Sequence, residues 1–435
     1  MAELIFDPQW LVGHLDEAED AATFAALLVA IDGKAATRVF DRLSGSERDR
    51  VRVPLFPLAS MVAKGWWALL HEPRRLEEEG EDDLFLARHR LDAHLGGFLF
   101  PPLAIWSGGD ETVLLDTPRP EHSLVPIART EFLEPPLARP IALARNDVED
   151  VLYRLVEATL SRLSTRDLTG SELREAWGRV RHALSDPEER DFCVAAGRLG
   201  LDPYDPDIPD LAEFAAGLSA RQFADLCEAA APDELPQATA WLRHSASRVQ
   251  SAPPIAINDF GDLPHPDLQQ GAWREGYRAA QAVRTRLRLG LHPKRAVERL
   301  LDGAASGHAT TLDPVQGPVE GLVQRRDGTA RVAVTGRTAP QRRFRLCRGA
   351  YLAWRAGEAG DGLVTVAGTR AQQASRAFAA ELLAPAELLR ERAGAHGLTQ
   401  DGLDDLASEF RCDPRVIINQ ARNHRVPLRG VAFAG

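Results

Sequence analysis

The chain is poor in cysteine: four in 435 residues, with no CxxC pair among them. Cys193, Cys227, Cys347 and Cys412 stand too far apart for a zinc knuckle or a disulfide framework, so reduced thiols in the cytoplasm are the expectation. No apolar run reaches the ~18 residues that a spanning helix needs, and no membrane partner is expected. The opening MAELIFDPQW lacks the basic-then-apolar layout of a secretory leader. There is no GxxxxGK(S/T) phosphate loop and no GxSxG nucleophile elbow, and GGDE and GDGL read as turns. Twelve histidines occur, but no two are four apart, the spacing that aims both rings of one helical face at one metal. An excess of basic charge is absent too. The net charge of −11 argues against a chain that coats nucleic acid non-specifically, because phosphate contacts need a basic surface.

What is present is the composition of a folded protein, 44% hydrophobic and 26% charged, which supplies sizeable cores. The length implies two or three domains. The pattern reads as α+β and multidomain, with a mixed region over 1–145, a helical region over 146–250, a linker over 251–266 and a third unit over 267–435. In the first region ATFAALLVAID suggests a short helix, LASMVAKGWWALLHEP a buried helix ending at Pro73, and GGFLFPPLAIWSGGDETVLLDTP two strands around a turn. SLVPIARTEFLEP reads as a further strand. DVEDVLYRLVEATLSRL has an apolar helical face, with Asp147 as the expected N-cap. SAPPIAINDFGDLPHP, rich in Pro, Gly and Asp, reads as the linker.

The third unit has an informative order. GPVEGLVQRRDGTARVAVTG reads as a hairpin turning at Asp-Gly. RRFRLCRGAYLAWR then opens a helix, RAFAAELLAPAELL gives a helix interrupted at Pro385, and LASEFRCDPRVIINQARN gives two short helices broken at CDP. The pieces RRFRL (Arg342–Leu346), FAAELLAP (Phe378–Pro385) and the ending from Leu406 to Asn423, in that order, resemble the ImmA/IrrE family of zinc metallopeptidases. FAAELLAP is the most specific of them. The resemblance covers roughly residues 267–435 and implies a zincin-like fold.

The same resemblance implies where the zinc chemistry would sit, and the residues there cannot perform it. Aligned on Arg-Phe, the five positions of the family's HExxH motif are Arg348, Gly349, Ala350, Tyr351 and Leu352. Arg348 would replace the first ligand, Gly349 the general base and Leu352 the second ligand. Arginine stays cationic, glycine has no side chain and leucine has no lone pair. The family's third ligand, an acid before FAAELL, falls at Gln372 or Ala374. Ligands and base are lost together, so no catalytic, metal or cofactor residue is expected and these are vestigial motif positions.

Other candidates carry less. His89 and His94 are five apart, about 140° on an ideal helix, and His308 has no ligand-type neighbour. Cys347 beside Arg348 reads as a buried, inert thiol, and Glu381 as an acid that caps or pairs within an apolar helix. Trp66 and Trp67 read as core before binding surface. Eight arginines and one acid lie between Gln324 and Arg348, and internal pairing is their plain explanation. The expected function is a catalytically inactive ImmA/IrrE-like regulator or sensor. It would bind a protein partner, a repressor or another regulator, in stress-response or phage and mobile-element biology. Two alternatives stay open: an active zinc metallopeptidase cleaving a regulatory protein, and a DNA-binding regulator.

Overall fold

The computed structural model describes residues 3–75, 81–117, 130–134, 137–292, 310–313, 317–357 and 360–430. Contacts group the chain into two units, Met1–Leu211 and Ala212–Gly435. Both mix helices with small sheets.

Unit 1 begins with β1 (Leu4–Trp10), α1 (Ala18–Ala22), β2 (Phe24–Ile31), β3 (Lys34–Ala35), β4 (Val39–Asp41), β5 (Ser46–Arg48) and β6 (Val51–Pro54). The helix expected over ATFAALLVAID is a strand. β2 pairs over Ala25–Ile31 with β1 and also with β6 and β3, and Ala25, Leu27, Val29 and Ile31 are buried. A strand bonded on both edges becomes a continuous apolar run, and such a run cannot be told from a buried helix by periodicity. The expected helix over 58–73 is two: α2 (Leu55–Lys64) stops at Gly65, and α3 (Trp66–His71) follows. Next come α4 (Glu81–His89), β7 (Ala104–Gly109), β8 (Thr112–Asp116), β9 (Thr130–Phe132) and β10 (Ile141–Ala144). β7 and β8 form the expected hairpin, extended by β10, while β9 joins β4 and β5. Of the strand expected over 123–135, only 130–134 is described.

Three helices complete unit 1: α5 (Arg145–Ser164), α6 (Ser171–Ser185) and α7 (Pro187–Leu199). α5 starts two residues before the expected cap; Ala144 is the N-cap and Asp147 sits in the first turn, where its charge still suits the helix dipole. α7 has the stronger start, Asp186 accepting from Glu188 N at 3.0 Å with Pro187 in the first turn. Trp66 is fully buried against Trp177 at 5.0 Å, edge to face, and Trp67 donates its indole N–H to Tyr204 Oη at 3.0 Å.

The division lies at α8 (Leu211–Ala215). Unit 2 continues with α9 (Ala220–Cys227), α10 (Leu235–Gln250), β11 (Pro254–Ile255), α11 (Ala272–Arg286), β12 (Thr310–Thr311), β13 (Val319–Arg326), β14 (Thr329–Val334) and α12 (Ala339–Arg355). After them come β15 (Gly360–Thr365), α13 (Arg370–Leu383), α14 (Ala386–Ala393), α15 (Gln400–Phe410) and α16 (Pro414–Asn423). The segment expected as linker is folded into this unit. β11 pairs with β14, and Ile255, Ile257 and Phe260 are buried in the same core as α12. Three apolar side chains outweigh the linker-like Pro, Gly and Asp around them.

The sheet of unit 2 runs β11-β14-β13-β15, with β12 parallel to β14. The β13–β14 hairpin turns at Asp327 (φ 48°) and Gly328 (φ 74°), the two left-handed residues that an Asp-Gly turn provides. GDGL opens β15 and is not a turn; its pairing with β13 comes from far along the chain. α12 lies on this sheet, and α11 and α13 cross closely: a side chain added at Gly276 would stand 2.1 Å from the carbonyl of Ala374. Among the described residues no helix is long and apolar enough to cross a membrane.

Candidate functional site

α12 is positioned at its start by Thr338, whose Oγ1 accepts from Gln341 N at 3.3 Å, and by Pro340 in the first turn. From Leu346 to Trp354 every residue of the helix is buried. Arg348 is therefore a cation inside a core, 2% exposed. Such a charge is tolerated only if it is paired and its donors are used.

All three guanidinium nitrogens of Arg348 are used. Nε donates to Ser375 Oγ at 3.1 Å, and Nη1 donates to Glu320 Oε2. Nη2 donates to the carbonyl of Thr365 at 2.6 Å and to Gln372 Oε1 at 2.8 Å. Burial pushes the group down to about 10, against the pull of Glu320, so it is still charged at neutral pH. Glu320, on β13, is held on its other oxygen by Arg345, whose Nε and Nη2 lie 3.0 and 2.7 Å away. Gln372 is committed as fully. Its oxygen also accepts from Thr365 N at 3.2 Å, and its Nε2 donates to Leu363 O at 2.9 Å. One side chain from α12 and one from α13 thus lock both helices to β15.

The remaining motif positions are packing. A Cβ at Gly349 would meet Val332 Cγ1 at 2.4 Å, so glycine lets α12 approach β14. Leu352 belongs to the apolar core. Tyr351 donates its hydroxyl to Glu275 Oε1 at 2.8 Å, joining α12 to α11. Burial and the Glu275 charge push that phenol far up, so it stays protonated. Burial also pushes the Cys347 thiol up to about 12, the neighbouring Arg343 notwithstanding, which makes it inert.

This donor set does not fit zinc. A guanidinium, a glycine hydrogen and an isobutyl group offer no ligand, and the amide oxygen of Gln372 already accepts two hydrogen bonds. Neither Gln372 nor Ala374 supplies an acid at the third-ligand position; Ala374 is buried in the core. Among the described residues no cluster of three or more His, Cys, Asp or Glu could hold a metal ion.

The outer edge of β15 is engaged as well. Asp225 of α9 accepts the Leu363 N–H at 2.8 Å, and it is itself paired with Arg221 at 2.9 Å. An extended peptide adding to this edge as a strand would find that donor taken.

The other candidates separate. His89 is buried, with Nδ1 2.6 Å from Ile105 O and Nε2 3.0 Å from Glu72 Oε2, while His94 is exposed in a neighbouring 3-10 turn. Both His89 nitrogens are engaged inside the fold, so the ring is not presented to a metal shared with His94. His308 lies outside the described residues. The basic stretch is largely consumed by the fold. Arg325 donates to the carbonyls of Ala353 and Trp354, Arg326 pairs with Asp361, Arg331 donates to Ala252 O and Arg342 to Gly336 O. Glu320, Thr365, Ser375 and Asp225 were not legible as site residues. The one available signal was Glu320, a lone acid in the otherwise apolar strand VEGLV. No family model, curated protein or solved structure matches the chain.

Proposed function

We propose that unit 2 is a zinc-peptidase-like domain of the ImmA/IrrE kind whose catalytic centre has become a structural one. On this reading the protein is a regulator that acts by binding a protein partner, a repressor or another regulator. The observation that carries it is the Arg348 guanidinium. The resemblance puts a metal ion at that point of the helix, and the chain supplies its own cation there, bonded to Glu320, Ser375, Thr365 and Gln372. Such a centre has no metal ligand to activate a water, and its one carboxylate, Glu320, is held by Arg345 and Arg348, so it is suited to holding helices in place and not to hydrolysis. The engaged edge of β15 points the same way, since strand addition is a common route for an extended substrate. Internal use of the arginines leaves the nucleic-acid alternative with little support.

The test begins with zinc measured per mole of chain, in protein purified without a histidine tag or chelator. The expected value is near background, with no cleavage of an unfolded protein substrate when zinc is added. About one zinc per chain together with cleavage overturns the reading. A stoichiometric protein partner recovered from the native host, and retained when Leu352 is changed to Met, is the expected positive result. Failure to recover one under native expression removes the binding half of the proposal.

A further inference from the structure

Glu381 lies nine residues beyond Gln372 on α13, about 14 Å along the axis at 1.5 Å per residue. There the helix borders a cavity of about 650 Å3, within the range of small-molecule sites. The end of α11, the turn after it, the start of α14 and His424 complete the wall.

The wall carries three guanidinium groups, from Arg284, Arg288 and Arg390, against two carboxyl groups, from Glu381 and Glu387. Arg284 is buried, yet its bonds run to the carbonyl oxygens of Leu382, at 3.0 Å, and Gly290. Among the described residues no carboxylate lies within ion-pair distance of it, and none pairs with Arg288 or Arg390 either. Glu381 and Glu387 attract this buried cation from the same wall but neither reaches it as an ion pair, which leaves its charge open to an anion in the cavity. Arg288 also has a φ of 52° just past the end of α11, a position glycine usually fills, and the strain is borne by a side chain that lines the cavity.

The wall also offers one unused neutral hydrogen-bonding group. His424 Nε2 is buried without a hydrogen-bond partner, 3.7 Å from Glu381 Oε2. Burial and the nearby Arg390 lower its basicity, so the ring is neutral at pH 7. The Glu381 carboxylate oxygen already accepts from Gln420 Nε2 at 2.9 Å and Ala386 N at 3.3 Å. Gln281, which bonds to Glu381, and Thr285 complete the polar lining.

We propose that this cavity binds a small phosphorylated molecule. The forks of Arg284, Arg288 and Arg390 take the phosphoryl oxygens, and His424 with Gln281 meets a neutral polar group on the rest of the ligand. Phosphate is favoured over carboxylate because three separate cationic forks match an anion with three terminal oxygens and nearly two charges. The site is distinct from the Arg348 centre and does not rest on the reading given to it.

The experiment uses the full chain in low-salt buffer free of phosphate. Calorimetric titration and thermal melting are run with inorganic phosphate, adenosine monophosphate and, as the uncharged control, adenosine. Saturable binding of phosphate or the monophosphate with a rise in Tm, and none of adenosine, is expected. Arg390→Ala should weaken binding about tenfold or more, the loss of one charge-assisted contact. Arg288→Gly removes the guanidinium while relieving the backbone, so it should weaken binding similarly with an unchanged or higher Tm of the free protein. Absence of saturable binding to either phosphate probe at millimolar concentration overturns the proposal. So does binding that survives in the Arg288→Gly, Arg390→Ala double variant, or binding of adenosine equal to that of its monophosphate.

Discussion

Two polar centres lie along one helix, and they are built on opposite rules. At the N-terminal half of α13, Gln372 and Ser375 enclose Arg348, and every guanidinium nitrogen has a partner. Towards its C-terminal end, Glu381 faces a cavity where His424 Nε2 has none and where three arginines have no paired carboxylate among the described residues. A closed hydrogen-bond inventory is the mark of a group kept for structure, because any exchange would leave a buried charge exposed to an apolar core. An open inventory is the mark of a place where something else completes the bonding. The lesson is that the segment resembling a catalytic motif has its bonding complete, while the open hydrogen-bonding capacity sits further along the same helix.

The largest effect that can break this comparison comes from Arg348→Ala. It strands Glu320 with Arg345 alone and leaves Ser375, Thr365 and Gln372 short of a donor. A loss of about 3 kcal/mol is expected, the lower end for breaking a buried pair, since Glu320 keeps one arginine. Urea denaturation followed through amide protection over residues 339–383 measures it. A change below about 1 kcal/mol would mean the network is not what holds α12 and α13 to the sheet.

A smaller effect sharpens the same point at the next residue of α12. Gly349→Ala places a Cβ 2.4 Å from Val332 Cγ1, and helix and strand must part. Overpacking of about 2 kcal/mol, partly offset by about 1 kcal/mol of better helix propensity, leaves a net loss of about 1 kcal/mol. Val332→Ala in the same chain should recover most of it, which a double-mutant cycle reads directly. No recovery would place the strain elsewhere. The glycine is thus explained by the approach of α12 to β14, and an acid restored there would have no room.

The parts of this picture that were legible in the sequence are those decided locally. The Asp327–Gly328 hairpin follows from turn chemistry, and the helix break at Pro385 from the missing N–H. What escaped was decided by distant partners. FAALLVAI is a strand because β1 and β6 flank it, and GDGL is a strand because β13 lies beside it. That Arg348, Gly349, Leu352 and Gln372 are unsuited to hold zinc could be seen one by one. That Arg348 and Gln372 bond to each other, and to Glu320 from a different strand, could not, since no local spacing encodes it.

The smallest expected effect has the opposite sign to the first, and that is its value. Burial pushes the Glu381 carboxyl up, against bonds from Ala386, Gln281 and Gln420 and the charge of Arg284. A carboxyl whose folded value exceeds its unfolded one supplies stability below the ordinary value of 4.5, and that contribution is lost as pH rises through the folded value. At pH 7 the carboxylate is thus a burden on the folded state, and its neutral isostere should relieve it. In Glu381→Gln the side-chain oxygen can still accept from Ala386 and Gln420, while the buried charge is removed. A gain below about 1 kcal/mol is expected at pH 7, because the loss of a bond of ordinary strength to Gln281 offsets part of the relief. It should shrink as pH falls below 4.5, where the native carboxyl is protonated in both states. Thermal melting of the two proteins across pH 4 to 8 decides it. A loss of stability at neutral pH would show that Glu381 is ionised and paired, and that this end of α13 is built like the Arg348 end after all.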